Sequence, residues 1–455
     1  MPSKPVLIVI LGIVLGLLWP VNAHAAFTVP PGFVDQAVVG GVPAPTAIDW
    51  LPSGELLTAT QGGVLFRWNG AGPAQPVLDL SAAVCAGGEM GLLGLAVDPA
   101  FASNRFTFLY YTHKDGTCDP SKRANRVSRF TMDGNGAIGV ETVLIDNIAA
   151  PGSNHNAGDL QFGKDGFLYV SVGDGGSTPD TARRLDTLNG KILRITRDGG
   201  IPAGNPFTGS ETEPCRLHGG SPSGGKTCQE IYAAGLRNPF RIAFDQDDPS
   251  GQQFFINDVG GGAWEEINAG APAADYGWNL REGPCGIGST TNCPPPPPRL
   301  VDPIHAYQHQ TGCRTITGGA FVPSSTSWPV GFHDDYLFAD LACDTIFTLD
   351  VGRRAVAPFA TGSGAIHLRF GSDGALYYTT YEGTGQVRRI VAGSSVTPPP
   401  PADDETVPCK KNKDKKHKAK NGKHKHDKDK KNGCKKGKHK GGGSKNGNHH
   451  RRPHR

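Results

Sequence analysis

His155 and Asp174 are the pair best suited, by type and spacing, to move a proton. His155 lies in the loop Gly152-Ser153-Asn154-His155-Asn156-Ala157-Gly158-Asp159-Leu160. Asp174 lies in Gly173-Asp174-Gly175-Gly176, and the apolar run 167–172 between them reads as a strand. A histidine and an aspartate at the two ends of one strand-turn-strand unit can meet across a cleft. There the carboxylate fixes the imidazole tautomer and leaves the other ring nitrogen as a base. The same segment, taken alone, also reads as a structural loop histidine. Two further loops carry chemistry. Arg237-Asn238 before Pro239 is an extended segment presenting a fixed cation and an amide, suited to an oxyanion or a carbonyl, or else to bridging backbone carbonyls. Gly260-Gly261-Gly262 exposes carbonyls with no side chains in the way, and with Glu265 and Glu266 nearby it can cage a hard cation such as calcium; the alternative is a flexible turn. An EF-hand is excluded, because twelve residues from Asp245 end on Ile256 rather than a glutamate.

Loops of this kind need a rigid frame, and the chain supplies a repeat. A short apolar strand, an Asp/Ser/Gly turn and a second apolar strand recur at 47–57, 95–111, 160–172, 242–256, 336–349 and 368–379. The third and sixth copies are close relatives, Phe162-Gly163-Lys164-Asp165-Gly166-Phe167-Leu168-Tyr169 against Phe370-Gly371-Ser372-Asp373-Gly374-Ala375-Leu376-Tyr377. Six such units predict an all-β, six-bladed β-propeller of four-stranded blades; a pair of β-sandwiches explains the spacing less well. Ligands of such a ring sit at a mouth of the central channel, where loops from several blades converge.

The ends of the chain read differently. Lys4, the apolar run 6–18 and Ala23-His24-Ala25 resemble a secretory signal over residues 1–26, with an uncleaved anchor as the alternative. The expected location is therefore secreted or periplasmic, with no integral span after cleavage. Ten cysteines suit an oxidising compartment, and sequence neighbours suggest the pairs Cys85–Cys118, Cys215–Cys228, Cys285–Cys293, Cys313–Cys343 and Cys409–Cys434. The propeller is expected over 27–395, followed by a Pro-rich linker at 396–408 and a Lys/His-rich tail at 409–455. That tail holds 20 Lys/Arg against 3 Asp, so the formal charge of +4 conceals a net acidic remainder. Its composition cannot bury a core; it reads as disordered, either as an anchor to an anionic polymer or cell surface or as a solvated tail. Gly134-Asn135-Gly136-Ala137-Ile138-Gly139 matches a dinucleotide pattern in letters but opens no helix, and no Gly-x-Ser-x-Gly elbow exists.

Taken in order, Gly88-Glu89-Met90-Gly91-Leu92-Leu93-Gly94-Leu95-Ala96, the His155–Leu160 run, Gly235-Leu236-Arg237-Asn238-Pro239, Asp258-Val259-Gly260 with Glu265-Glu266-Ile267-Asn268, and Tyr276-Gly277-Trp278 resemble the soluble quinoprotein glucose/sorbosone dehydrogenase family over residues 35–392. The resemblance implies a six-bladed propeller that oxidises an aldose at its anomeric carbon to a lactone, with pyrroloquinoline quinone (PQQ) as oxidant. It implies His155 as general base, Asp174 orienting it, and Arg237 stabilising the charge that develops on the quinone. It places Asn238 and Glu89 beside the cofactor. It further implies one calcium site from the carbonyls of Gly260 and Gly261 and a second, structural one from Glu266 and the Tyr276 carbonyl.

The sequence departs from this family at the cofactor's carboxylates. Relatives place a lysine near the fifth-blade strand and an Arg-x-Arg pair before the last repeat. Alignment on Thr345-Ile346-Phe347 and on Ser372-Asp373-Gly374 puts Ala342, Gly364 and Ile366 at those positions. Each lost charge-assisted contact is worth about 1.5–3 kcal/mol. Arg369 is three residues from Ile366 and falls on the opposite strand face, so Arg314 is the better substitute. The alternatives to a dehydrogenase are a non-catalytic propeller that binds a glycan or protein, as hedgehog-interacting relatives of the fold do, and a calcium-dependent lactonase.

Overall fold

A computed structural model describes residues 27–393 apart from 134–135, 177–178, 310–311 and 382–384. The expected signal segment, the whole expected linker, the tail and the Cys409–Cys434 pairing lie outside the described residues, as do Gly134 and Asn135. Six four-stranded antiparallel sheets form a ring. Their innermost strands are Pro45–Trp50, Leu92–Val97, Ala157–Phe162, Pro239–Phe244, Ile316–Phe321 and Ala365–Phe370, in blades 1 to 6. Each inner strand packs against the next, and the last returns to the first. Blade 6 takes its outermost strand, Phe33–Gly40, from the N-terminal side of the chain. That pairing closes the ring by backbone hydrogen bonds and leaves blade 6 with no missing edge strand. Among the described residues no helix is long and apolar enough to cross a membrane.

The core lies between blades. Alternate residues of each strand face the two neighbouring sheets, which is why the inner strands are buried on both faces. Glycine permits the closest approach: a Cβ on Gly94 would stand 2.0 Å from the Gly158 carbonyl of the next blade. The fifth sequence copy is out of phase. Residues 336–349 form the second and third strands of blade 5, whereas the other copies are first and second strands. The inner strand of that blade, Ile316–Phe321, contains Gly318-Gly319 and lacks the alternating apolar signal.

All six inner strands share one irregularity. After the first residue pair with the second strand, the register shifts. Bulges of this kind re-aim the residues that follow or precede them. Among the described residues four disulfides, Cys85–Cys118, Cys215–Cys228, Cys285–Cys293 and Cys313–Cys343, tie down the long connections. The channel is barred midway. Arg241 of blade 4 donates from Nη2 across the ring to the Thr46 carbonyl of blade 1 at 2.7 Å, and His367 of blade 6 has Nε2 4.0 Å from Asp159 Oδ1 of blade 3. Burial and the Arg241 and Arg369 charges hold His367 far below the usual histidine range, so it is neutral here.

Candidate functional site

The repeat sets the rim of one channel mouth. His155, Arg237 and Arg314 each stand two residues before the inner strand of blades 3, 4 and 5. Asp174, Gly260 and Ala342 each stand two residues after the second strand of the same blades, Leu168–Val172, Phe254–Asp258 and Tyr336–Asp340. One structural position, repeated three times, thus delivers an imidazole and two guanidinium-bearing residues, and a second delivers the carboxylate.

His155 Nδ1 is 2.7 Å from Asp174 Oδ1, with both residues buried. Asp174 Oδ1 also accepts from the Gly176 amide at 2.8 Å, and its Oδ2 from Trp278 Nε1 at 2.8 Å. These three contacts fix the carboxylate in place. In the neutral imidazole whose Nδ1–H faces Asp174, Nε2 is the ring nitrogen with the lone pair, and it has no hydrogen-bond partner among the described residues. His155 sits at φ 56° and Ala157 at φ 48°, left-handed conformations that non-glycine residues seldom adopt. Surrounding contacts fix this turn. The His155 amide donates to Glu89 Oε2 at 2.7 Å, and the Ala157 amide to Asn238 Oδ1 at 3.1 Å. Asn238 Nδ2 in turn donates to Glu89 Oε2 at 2.9 Å. Glu89, Asn238 and the histidine turn therefore form one network across blades 2, 3 and 4.

Arg237 enters the same cluster. Its carbonyl accepts from the Asp174 amide at 2.8 Å, Nη1 donates to the Val259 carbonyl at 3.0 Å, and the guanidinium lies 5.4 Å from the Trp278 ring centre. Trp278 thus touches both Asp174 and Arg237, a role that the sequence, where it is only the last residue of Tyr276-Gly277-Trp278, does not mark. Asp258 accepts the amides of Arg237 at 3.0 Å and Asn238 at 2.6 Å and so fixes the extended turn before Pro239. Arg314 is exposed on the blade 5 rim beside the Cys313–Cys343 bridge. Ala342 is also exposed there, while Ile366 is buried and Gly364 has φ 53°.

The metal residues divide. Glu266 and Asp258 are direct cross-strand partners, both buried. Burial pushes both carboxyls above their usual range, and the facing Asp258 charge raises Glu266 further. Glu266 accepts from the Gly283 amide and, at 3.0 Å, from Asn268 Nδ2, while Asn268 Oδ1 is buried without a partner. Two facing carboxyl groups and an unpartnered amide oxygen, with no basic side chain among the described residues hydrogen-bonded to either acid, suit a divalent cation. The Gly260 loop is organised differently from a bare carbonyl turn: the amides of Gly261, Gly262, Ala263 and Trp264 all converge on Glu282 Oε1 at 2.7 to 3.1 Å. Tyr276 anchors its turn by its hydroxyl, which donates to the Ala269 carbonyl at 2.6 Å. The expected contribution of Glu265 is corrected. Strand alternation turns it to the other face, where it meets His309 Nε2 at 2.7 Å and the Ile316 amide at 2.9 Å.

Behind Asp174 lies a buried lysine. Lys191 Nζ donates to the carbonyls of Thr181 at 2.8 Å, Ala182 at 2.8 Å and Asn189 at 2.6 Å, and Thr181 Oγ1 contacts the Asp174 carbonyl at 3.3 Å. Burial pushes the Lys191 pKa down, but three acceptors need three donors, which an ammonium has and a neutral amine lacks. Lys191→Met would leave three buried carbonyls unpaired, so a loss of about 3–5 kcal/mol is expected from urea unfolding. A loss below about 1 kcal/mol would show that water replaces the ammonium.

Comparison with known proteins bears on the family and the fold. The family model described as Glucose / Sorbosone dehydrogenase matches residues 42–389. The chain is 29% identical over 340 residues to the HIPL2 protein of Arabidopsis thaliana, covering 60% of this chain and 45% of that one. It is 31% identical over 240 residues to the aldose sugar dehydrogenase YliI of Escherichia coli, covering 52% and 59%. The crystal structure of a Thermus thermophilus protein assigned as an oxidoreductase (glucose dehydrogenase) superposes with a TM-score of 0.65 at 29% identity, over 79% of this chain and all of that one. The chain spans about half the length of the first curated relatives it matches.

Proposed function

From its membership of the glucose/sorbosone dehydrogenase family, we propose that this chain oxidises an aldose at its anomeric carbon to the lactone with PQQ and calcium. The observation that carries the reading is the His155–Asp174 contact at 2.7 Å, clamped from behind by Trp278. The anomeric hydroxyl gives its proton to His155 Nε2, Asp174 stabilises the imidazolium that results, and the C1 hydrogen leaves with its electron pair as the C1–O bond becomes a carbonyl. PQQ, when bound, supplies the two-electron acceptor. Arg237, positioned by Val259 and Trp278, provides the positive charge that acceptor needs as it is reduced. Asn238 and Glu89, which fix the histidine turn, would border it.

The reacting end of the site suits this cofactor; its carboxylate end has Arg314 and no charge at Ala342, Gly364 or Ile366. Weak PQQ binding follows, and it favours a second reading, a propeller that binds a glycan or protein without turnover. A dye-linked assay of the purified protein with calcium, PQQ and a panel of aldoses separates the two. Turnover supports the dehydrogenase; no turnover together with no calorimetric PQQ binding at micromolar concentration supports the binding module.

For calcium, Gly260 and Gly261 would contribute carbonyls at one position, and Glu266, with the Tyr276 carbonyl, at the other. Calcium at 100 times its Kd adds about 2.7 kcal/mol to stability. The melting temperature is therefore expected to rise by a few degrees over that in EDTA, and Glu266→Gln to remove the share of that rise that belongs to its own site. Equal melting curves with calcium and EDTA would overturn the calcium assignment. We also propose export, with the basic tail holding the protein on anionic polymers. Deleting residues 402–455 should leave turnover unchanged and abolish salt-sensitive retention on heparin resin; unchanged retention would sink that role.

A further inference from the structure

Four consecutive amides, those of Gly261, Gly262, Ala263 and Trp264, donate to one oxygen, Glu282 Oε1, at 2.7, 2.8, 2.8 and 3.1 Å. The chain therefore wraps around that oxygen. The wrap needs glycine where it closes, because a Cβ on Gly260 would stand 1.5 Å from the Trp264 carbonyl oxygen. It also decides where the carbonyls go. In a planar trans peptide the C=O of one residue points opposite to the N–H of the next. With four N–H groups turned to Glu282, the carbonyls of Gly260, Gly261, Gly262 and Ala263 are turned away from it. The Ala263 carbonyl accepts the His309 amide at 3.1 Å. Those of Gly260, Gly261 and Gly262 accept from no donor among the described residues, and Gly261 and Gly262 are exposed.

Glu282 itself has little freedom. It is buried, on a short antiparallel pair formed by Arg281–Glu282 and Cys285–Gly286. The Cys285–Cys293 disulfide ties this pair to the segment that follows, and Arg281 Nη2 donates to Asp302 Oδ1 at 2.7 Å. A carboxylate suits such a position better than a neutral side chain, since amide bonds to an anion are the stronger ones. Carbonyls fixed before a cation arrives need not be ordered when it binds, and that raises affinity.

We propose that Glu282 is a positioning residue: it acts through the 260–264 backbone to hold the Gly260 and Gly261 carbonyls outward, ready for calcium. The inference rests on the calcium reading of that loop. Calorimetry of the full chain with calcium tests it in a Glu266→Gln background, which leaves the Gly260 position as the site to be read. Adding Glu282→Gln, nearly the same shape without the charge, should weaken calcium binding at least tenfold at a temperature where circular dichroism shows the protein folded. A glutamate with a merely structural role would lower the melting temperature in EDTA and leave the affinity of the folded protein unchanged. A change of less than tenfold therefore overturns the proposal while the calcium site stands. Absence of calcium binding in Glu266→Gln alone removes the site itself, and the proposal with it. A second measurement needs no substitution. In EDTA the amides of residues 261–264 should exchange hydrogen at least tenfold more slowly than an unstructured chain, because Glu282 already holds them. Exchange closer to the unstructured rate overturns the proposal, even where Glu282→Gln fails to fold.

Discussion

His155→Asn is expected to lower aldose turnover by at least 100-fold without unfolding the protein. Asparagine is the informative replacement because residue 155 has φ 56°, a left-handed conformation that asparagine tolerates better than alanine. The amide that donates to Glu89 Oε2 is preserved, so the loss reports on the imidazole rather than on the turn. General base catalysis contributes about 10²–10⁴-fold, which sets the scale. Asp174→Asn should cost less, roughly 10–100-fold within that same range. Its oxygen can still accept from His155 Nδ1, but its amide nitrogen then confronts the Trp278 indole N–H. The loss should appear in kcat with KM little changed, because the imidazolium needs its counter-charge in the transition state. Turnover within tenfold of the unmodified protein for His155→Asn would remove the histidine from the chemistry.

That the rim residues could be found before any coordinates has a physical reason. Each sits in a short loop with unusual residue types, and the ring's repetition carries such loops to one mouth. The same repetition hid other things. The inner strand of blade 5 contains Gly318-Gly319, so the pattern shifted onto its second and third strands. Glu265 and Glu266 look equivalent in a sequence, yet strand alternation sends one to His309 and the other to Asp258. Glu282 binds four amides from 18 to 21 residues away, and nothing in its local sequence marks it. Phe33–Gly40 pairs with a strand more than 340 residues later, a contact no local pattern encodes. The bar of Arg241, His367 and Asp159 joins opposite blades and is invisible for the same reason.

Ala342→Lys is expected to tighten PQQ binding by about 10- to 150-fold. Residue 342 stands two positions past the second strand of blade 5, where blade 3 has Asp174 and blade 4 has Gly260. The residue is exposed, and its amide already donates to Asp340 Oδ1 at 2.9 Å, so a longer side chain leaves the turn intact. A new ammonium–carboxylate contact is worth about 1.5–3 kcal/mol, and each 1.4 kcal/mol is tenfold in affinity. Ala342→Gln matches much of the length without the charge and should leave affinity within threefold of the unmodified protein. The gain with lysine should shrink as salt rises from 50 to 300 mM, since the contact is solvent-exposed. Calorimetry at fixed calcium reads all three. If lysine and glutamine behave alike, the carboxylates of the cofactor do not approach blade 5. The case for PQQ would then rest on the reacting end alone, and the binding-module reading would gain in proportion.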